Sequence, residues 1–116
     1  MGNLSTHVLD ITSGRPARGM RIELLRLIDH RAELLTTATT NADGRTDQPL
    51  LAAVAMATGK YRLQFYVADY FRSVGDHDAG TFLDVVPVEF VIADSSATYH
   101  VPLLVSPWHY VTYRGS

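Results

Sequence analysis

Hydrophobic and polar residues alternate along several short stretches of the chain. In residues 20–24 the apolar side chains of Met20, Ile22 and Leu24 are separated by charged ones, and residues 61–65 follow the same pattern. A period of two is typical of a β-strand that buries one face. Turn signals divide these stretches at short, fairly even spacings, at 13–16, 41–44, 59, 75, 94–96 and 107. The pattern predicts an all-β chain with the turn spacing of a β-sandwich.

Three further stretches refine this prediction. Val85–Ile92 is rich in β-branched residues, and Pro87 within it indicates an edge strand or a strand start, where a missing amide hydrogen costs little. Residues 68–73 favour one or two helical turns that end at Gly75. Residues 50–57 are apolar and rich in alanine. A stretch of that length fits a short helical turn, a buried loop or an irregular strand, because periodicity does not separate them.

Both ends of the chain contain a strand with a histidine on one face. The apolar residues at odd positions in 101–105 share a face, which leaves His100 on the opposite one. Near the N-terminus, His7 shares a face with Ser5 and Leu9. These two histidines are therefore the first candidates for chemistry, since a neutral imidazole accepts a proton near physiological pH.

Size and composition bound the architecture. The chain has 116 residues, of which 47% are hydrophobic and 19% charged, the balance of an ordered protein with a core. We expect a single domain that spans residues 1–116. A domain of this size is too small to enclose a deep pocket, so a small-molecule site is expected at a subunit interface.

Charge and cysteine content exclude several classes of protein. The formal net charge is −2 without a basic run, so we expect no nucleic-acid partner. Cysteine does not occur, which excludes disulfides, thiolate nucleophiles and Cys-based metal sites. No window approaches the ~18 apolar residues that a membrane span needs. The first residues lack a leader pattern, and we therefore expect no membrane association and a cytoplasmic location.

Three motifs carry a resemblance to a known family. They are residues 4–10 (LSTHVLD) followed by 14–17 (GRPA), residues 40–45 (TNADGR), and the terminal 113–116 (YRGS). In this order they resemble the 5-hydroxyisourate hydrolases, the transthyretin-related enzymes of urate breakdown. The motifs lie at the start, middle and end, so the resemblance covers essentially the whole chain. The sequence differs from the usual family ending at Trp108, His109 and Val111, where an aromatic residue can anchor a subunit contact.

The resemblance implies a fold, an assembly and a reaction. The fold would be a transthyretin-like (prealbumin-like) β-sandwich of about eight antiparallel strands with one short helix, in which the first and the last two strands share a sheet. Family members are homotetramers with active sites where dimers meet. The reaction would be metal-free hydrolysis of 5-hydroxyisourate at its N1–C6 bond, with no cofactor and with this small molecule as the partner.

The resemblance also assigns roles to individual residues. His7, Arg45 and His100 fall on positions that the family uses catalytically, and either histidine would activate water while Arg45 holds the developing negative charge. Which histidine is the base stays open. The terminal residues would line and close the substrate pocket: Tyr113, Arg114, Gly115 and Ser116. His30, His77 and His109 have no such support and are interpreted as surface or turn residues.

Less specific interpretations compete with these roles. Arg45 can be a solvated side chain paired with Asp43 or Asp47, and Arg114 can serve only to tie down the terminus. The alternative to a metal-free site is a zinc site built from His7, His100 and His109, although the spacing of these histidines is not that of helical zinc motifs.

Two other functional classes also fit a chain of this fold. The main alternative to the enzyme is a carrier of a small aromatic ligand with the fold but without the chemistry. The transthyretin carriers of thyroid hormones lack the combination of His7, Arg45, His100 and the YRGS end. The second class is a structural β-sandwich, which would give no reason for these polar residues.

Overall fold

The computed structural model describes residues 2–116, and the structural statements below refer to that part of the chain. Its strands are β1 (Asn3–Ser5), β2 (Val8–Asp10), β3 (Arg15–Pro16), β4 (Arg21–Ile28), β5 (Arg31–Thr39), β6 (Leu51–Ala52), β7 (Gly59–Tyr66), β8 (Val85–Ile92), β9 (Thr98–His100), β10 (Leu103–Val105) and β11 (Tyr110–Thr112). The α-helix α1 spans Val67–Ser73, and a 3₁₀ turn covers Ala53–Ala55. No helix among the described residues is long and apolar enough to cross a membrane.

The strands form two layers. One layer is an antiparallel sheet in the order β5-β4-β7-β8. The other consists of two segments, β6-β1-β9 and β11-β10-β2-β3. Because β1 leads into β2 and β9 into β10, these segments are the two halves of one bent sheet. The all-β sandwich with one short helix is confirmed, and so is the prediction that the first and last strands share a sheet.

The alternation in the sequence matches the burial in the structure. Met20, Ile22 and Leu24 are fully buried, and the odd positions of 61–65 are buried as well. They pack against apolar residues of the opposite layer such as Leu103. Because side chains alternate between the two faces of a strand, this local pattern is sufficient to determine which face is buried in the core.

The predictions for the strand edge and the helix are also confirmed. Strand β8 lies at the edge of its sheet, and Pro87 is exposed there. At an edge, the missing amide hydrogen of a proline does not interrupt the hydrogen bonds between interior strands. Helix α1 ends at Ser73, and Gly75 follows in a left-handed conformation with φ of 102°. The amide of Asp76 donates to the carbonyl of Phe71 at 2.9 Å, which completes a Schellman-type end. The undecided stretch 50–57 contains strand β6 and the 3₁₀ turn.

The pairing of the terminal strands differs from the expectation of antiparallel strands throughout. Strand β1 pairs with β9 in parallel, and β2 pairs with β10 in parallel. Parallel pairing needs a long connection, and the whole other layer lies between these strands in the sequence. The register places Ser5 opposite His100. This pairing brings the N-terminal and C-terminal motifs together.

Candidate active site

His7 and His100 lie where the two paired strands are interrupted. His7 stands between β1 and β2, and His100 ends β9 just before Pro102, which has no amide hydrogen to continue the ladder. Backbone bonds still connect the strands there, since the amide of Leu103 donates to the carbonyl of His7 at 2.9 Å. Both imidazoles are half-buried, while the neighbouring Thr6 points inward and is buried. The two histidines therefore share the outer face of the sheet, as the alternation predicts.

The hydroxyl of Ser5 contacts the ring of His100. Ser5 Oγ lies 2.9 Å from His100 Nδ1, across the parallel pairing of β1 and β9. The contact joins residues that are 95 positions apart in the sequence. The sequence analysis does not assign Ser5 to the site. Its position on the same strand face as His7 was the available signal, but only the strand register shows which histidine it meets.

The loop that precedes Arg45 packs against the strand that carries His7. The carbonyl of Gly44 accepts a hydrogen bond from the amide of Val8 at 2.8 Å. A Cβ at Gly44 would lie 2.4 Å from the carbonyl oxygen of Val8 and 3.3 Å from His7 Cδ2, and the residue has φ of 74°. Glycine is required here both for the close approach and for the left-handed backbone. The loop therefore places Gly44 against His7, one residue before Arg45.

The side chain of Asn41 holds this loop in shape. Its Oδ1 accepts hydrogen bonds from the amides of Asp43 at 2.9 Å and Arg45 at 3.2 Å. Its Nδ2 donates to Asp47 Oδ1 at 2.9 Å. Within residues 2–116 Arg45 forms no ion pair with either aspartate, so the interpretation of Arg45 as a paired surface residue does not match the structure. Asn41 is the second residue that the sequence analysis leaves without a role, although an Asn before Asp-Gly is a known turn former.

The electrostatic environment links the two histidines and Arg45. Burial lowers the pKa of His100 below the ordinary value of 6.5, and the positive charges of Arg45 and His7 lower that pKa further. Both charges oppose the protonated imidazolium form of His100. The neutral imidazole is therefore the favoured form of His100 at physiological pH.

The C-terminal motif reaches the same place through Gly115. Its amide donates to the carbonyl of His100 at 2.7 Å in an isolated antiparallel bridge. A Cβ at Gly115 would lie 2.5 Å from His100 Cδ2. The backbone of the tail is therefore in direct contact with the imidazole ring. Ser116 follows and is exposed.

Arg114 and Tyr113 take a different direction from Gly115. The guanidinium of Arg114 lies 4.3 Å from the centre of the Tyr99 ring and donates to the carbonyl of Thr98 at 3.2 Å. Tyr113 and Arg114 line a cavity of about 320 Å³, which is also lined by residues of β8. That cavity does not include the histidines. In the single chain the structure thus brings Gly115 to His100 and leaves Arg114 on Tyr99.

The remaining histidines lie apart from this cluster. His30, His77 and His109 are exposed, as the sequence analysis predicts. His109 belongs to the turn between β10 and β11. In the part of the chain that the structure describes, no group of three or more His, Asp or Glu side chains is arranged to hold a metal ion.

The arrangement has the parts for metal-free attack of water on a carbonyl carbon. A neutral imidazole can take a proton from water, and a guanidinium can hold the negative oxygen that forms. Arg45 is exposed, which leaves its planar group accessible to a ligand.

Comparison with known proteins places this chain in a family. Residues 4–115 match the HIUase/Transthyretin family. The chain belongs to this family. It is 52% identical over 116 residues to 5-hydroxyisourate hydrolase 2 of Rhizobium meliloti (strain 1021), with 99% of this chain and 97% of the relative covered. The resemblance inferred from the three motifs is thereby confirmed.

Solved structures of HIUase/Transthyretin proteins have the same fold. The structure of Klebsiella pneumoniae 5-hydroxyisourate hydrolase is similar with a TM-score of 0.84 at 34% identity, and the match covers 100% of both chains. Sea bream transthyretin in complex with thyroxine has a TM-score of 0.86 at 26% identity, covering 97% of this chain and 94% of the other. The transthyretin-like fold is therefore confirmed. Sequence identity is higher to the hydrolases than to the thyroxine-binding protein.

Proposed function

We propose that this chain is a 5-hydroxyisourate hydrolase. The observation that carries the proposal is that His7 and His100 share one outer face, with the loop that leads to Arg45 packed against the strand of His7 and with Gly115 in contact with His100. The identity of about half the residues to a hydrolase over the full chain supports it. The product would be 2-oxo-4-hydroxy-4-carboxy-5-ureidoimidazoline, a step of urate catabolism.

The reaction proceeds by general base catalysis. One histidine takes a proton from a water molecule as the water oxygen attacks C6 of the substrate. Arg45 holds the oxygen of C6 while negative charge accumulates on it. The C6–N1 bond then breaks, N1 leaves with a proton that the same imidazole returns, and C6 becomes a carboxylic acid that releases its remaining proton to solvent as the carboxylate. The ring opens without a metal or a cofactor.

The terminal residues have a proposed role in closing the pocket. Tyr113, Arg114, Gly115 and Ser116 are the predicted substrate-binding residues, and the position of Gly115 against His100 supports a wall at this side. Ser116 would present its hydroxyl beside the imidazole. Arg114 contributes by fixing the tail to Tyr99 and Thr98.

We also propose that the enzyme is a cytoplasmic homotetramer with its sites between dimers. Within the described residues, strands β8 and β11 are sheet edges whose backbone groups lack a second strand. They carry exposed apolar residues, with Val91 at 55% and Val111 at 44% exposure. The histidine face is open in one chain, so a facing chain would complete the enclosure.

Light scattering should give the mass of four chains, and Val111→Lys should lower the measured mass. A wild-type monomer with full activity would contradict this assembly.

The test of the enzymatic function is the ultraviolet decay of freshly generated 5-hydroxyisourate. The purified protein should accelerate the decay, while Arg45→Ala and a truncation that removes residues 113–116 should abolish the acceleration with the assembly intact. Arg31→Ala is the matched control, because Arg31 is exposed on β5 away from the histidines. Decay at the spontaneous rate would overturn the proposal, and saturable binding without turnover would make the protein a carrier.

A further inference from the structure

The ring of His100 is held at two of its edges. On one side, Ser5 Oγ lies 2.9 Å from Nδ1. On the other, the backbone of Gly115 is so close that a Cβ there would lie 2.5 Å from Cδ2. Rotation of the ring by half a turn would move Nδ1 away from the hydroxyl. These contacts define one orientation of the imidazole.

This orientation leaves Nε2 as the nitrogen that is available for chemistry. Within residues 2–116 the side-chain hydrogen bond of His100 is the contact between Nδ1 and the Ser5 hydroxyl, in which either group can be the donor. The two nitrogens of a neutral imidazole have opposite roles, since one carries the proton and the other the lone pair. Which nitrogen carries the proton is set by the hydrogen bond that the other nitrogen makes. The partner of Nδ1 therefore decides what Nε2 can do.

A hydroxyl is suited to orient a base without charging it. A carboxylate at position 5 would favour the protonated imidazolium and raise the pKa of His100. Ser5 is neutral, so it can accept a hydrogen bond from Nδ1–H without this effect. The charged side chains that act on His100 are Arg45 and His7, which both oppose a further positive charge. An imidazole that donates its Nδ1–H to Ser5 has its lone pair on Nε2, where it can accept a proton.

We propose that Ser5 is a positioning residue that holds His100 in the Nδ1–H tautomer, so that Nε2 takes the proton from the attacking water. The water oxygen forms its bond to C6 as the O–H bond breaks, and the proton moves to Nε2. The assignment makes His100 the base, and its kinetic consequence rests on the proposed hydrolase function. The tautomer itself is a property of the free protein.

The direct test is the tautomer of His100 in ¹⁵N-labelled protein. Long-range ¹H–¹⁵N correlation spectra at a pH where His100 is neutral distinguish the protonated ring nitrogen from the unprotonated one, and His100→Gln assigns the signals. The wild type should carry the proton on Nδ1. Ser5→Ala should move the population toward Nε2–H, and Ser5→Thr should restore Nδ1–H. A wild type with the proton on Nε2, or a tautomer that Ser5→Ala leaves unchanged, would overturn the assignment.

Kinetics of the same variants test the consequence for the reaction. Ser5→Ala should lower kcat roughly tenfold with KM unchanged, because the ring loses its orientation in the transition state while substrate contacts remain. Ser5→Thr should recover most of the lost kcat, and Ser95→Ala, on an exposed turn, should match the wild type. An unchanged kcat in Ser5→Ala would overturn the role in catalysis. A wild type without hydrolase activity but with a Ser5-dependent tautomer would refute the proposed function and not the contact.

Discussion

Gly115 lies directly against the imidazole of His100, with its amide 2.7 Å from the His100 carbonyl oxygen and no room for a Cβ beside Cδ2. Gly115→Ala should therefore displace either the ring or the tail. We expect kcat/KM to fall by about tenfold or more, the loss that corresponds to about 1.4 kcal/mol in the transition state. Measurement of the hydrolase rate beside thermal unfolding separates a local effect from loss of the fold.

Gly14 supplies the comparison for this substitution. Nothing lies within 4 Å of a Cβ at Gly14, although its φ of 74° strains any other residue. Gly14→Ala should cost about 1–2 kcal/mol of stability through backbone strain and leave turnover unchanged. Equal activity of Gly115→Ala and the wild type would show that the contact has no role in the reaction.

The stack of Arg114 on Tyr99 should hold the C-terminal tail in place. Arg114→Ala removes the cation–π contact and the hydrogen bond to the Thr98 carbonyl, and contacts of this kind at exposed sites contribute about 0.5–1 kcal/mol. The amide of Gly115 should then exchange with solvent several-fold faster, which hydrogen-exchange spectroscopy measures. Unchanged exchange in Arg114→Ala would show that Arg114 does not anchor the tail.

The buried pair of Tyr70 and Asp10 should affect stability in a pH-dependent way. Tyr70 donates to Asp10 Oδ2 at 2.8 Å, and burial followed by the neighbouring carboxylate raises the pKa of Tyr70 above its ordinary value of 10.0. Tyr70→Phe leaves the Asp10 oxygen without this donor and should cost about 1–3 kcal/mol of unfolding free energy. Because the folded-state pKa is raised, the contribution is complete below pH 10 and is lost as the pH rises through that pKa.

Urea unfolding across this pH range measures the effect. The difference in unfolding free energy between the wild type and Tyr70→Phe should be constant below pH 10 and should shrink above it. Tyr110→Phe, an exposed tyrosine on β11, is the control and should show no such difference. A difference that grows with alkaline pH would contradict the prediction.

The titration of His100 should reflect its surroundings. Burial and then the charges of Arg45 and His7 lower its pKa, so its NMR titration should have a midpoint below 6.5. Arg45→Met should raise that midpoint, whereas Arg31→Met should not. Because the folded-state pKa is lowered, the unfolded chain binds the proton more readily, and stability should fall as the pH drops below 6.5. A midpoint that is unaffected by Arg45→Met would show that the two side chains do not interact.

The sequence predicts the strands and the core well. Local patterns predict the buried positions at 20–24 and 61–65, because side-chain direction has a period of two in a strand. They also predict the edge strand with Pro87 and the helix before Gly75, because a glycine commonly ends a helix. The stretch 50–57 could not be predicted. Its short strand and 3₁₀ turn depend on pairing with β1, which is not encoded in the stretch itself.

The predictions for the site have a different origin. His7, Arg45 and His100 were identified because their motifs resemble those of a family, and composition would not have selected them from the other histidines and arginines. The contact of Ser5 with His100 and the bond of Asn41 to Asp47 were not predicted. Both depend on short distances between side chains, and such distances follow from strand register and loop shape.

What the sequence by itself determined is the class of the fold, the buried rows and the three motifs, since each of these resides in neighbouring residues. Only the tertiary structure decided that β1 pairs with β9 in parallel, that Ser5 therefore meets His100, and that Gly115 closes on the same ring. The physical reason is that hydrogen bonds and close contacts act over about 3 Å, while the residues that make them are separated by up to 95 positions. Local patterns fix which face a side chain takes, and the packing of the two layers fixes which side chain it meets.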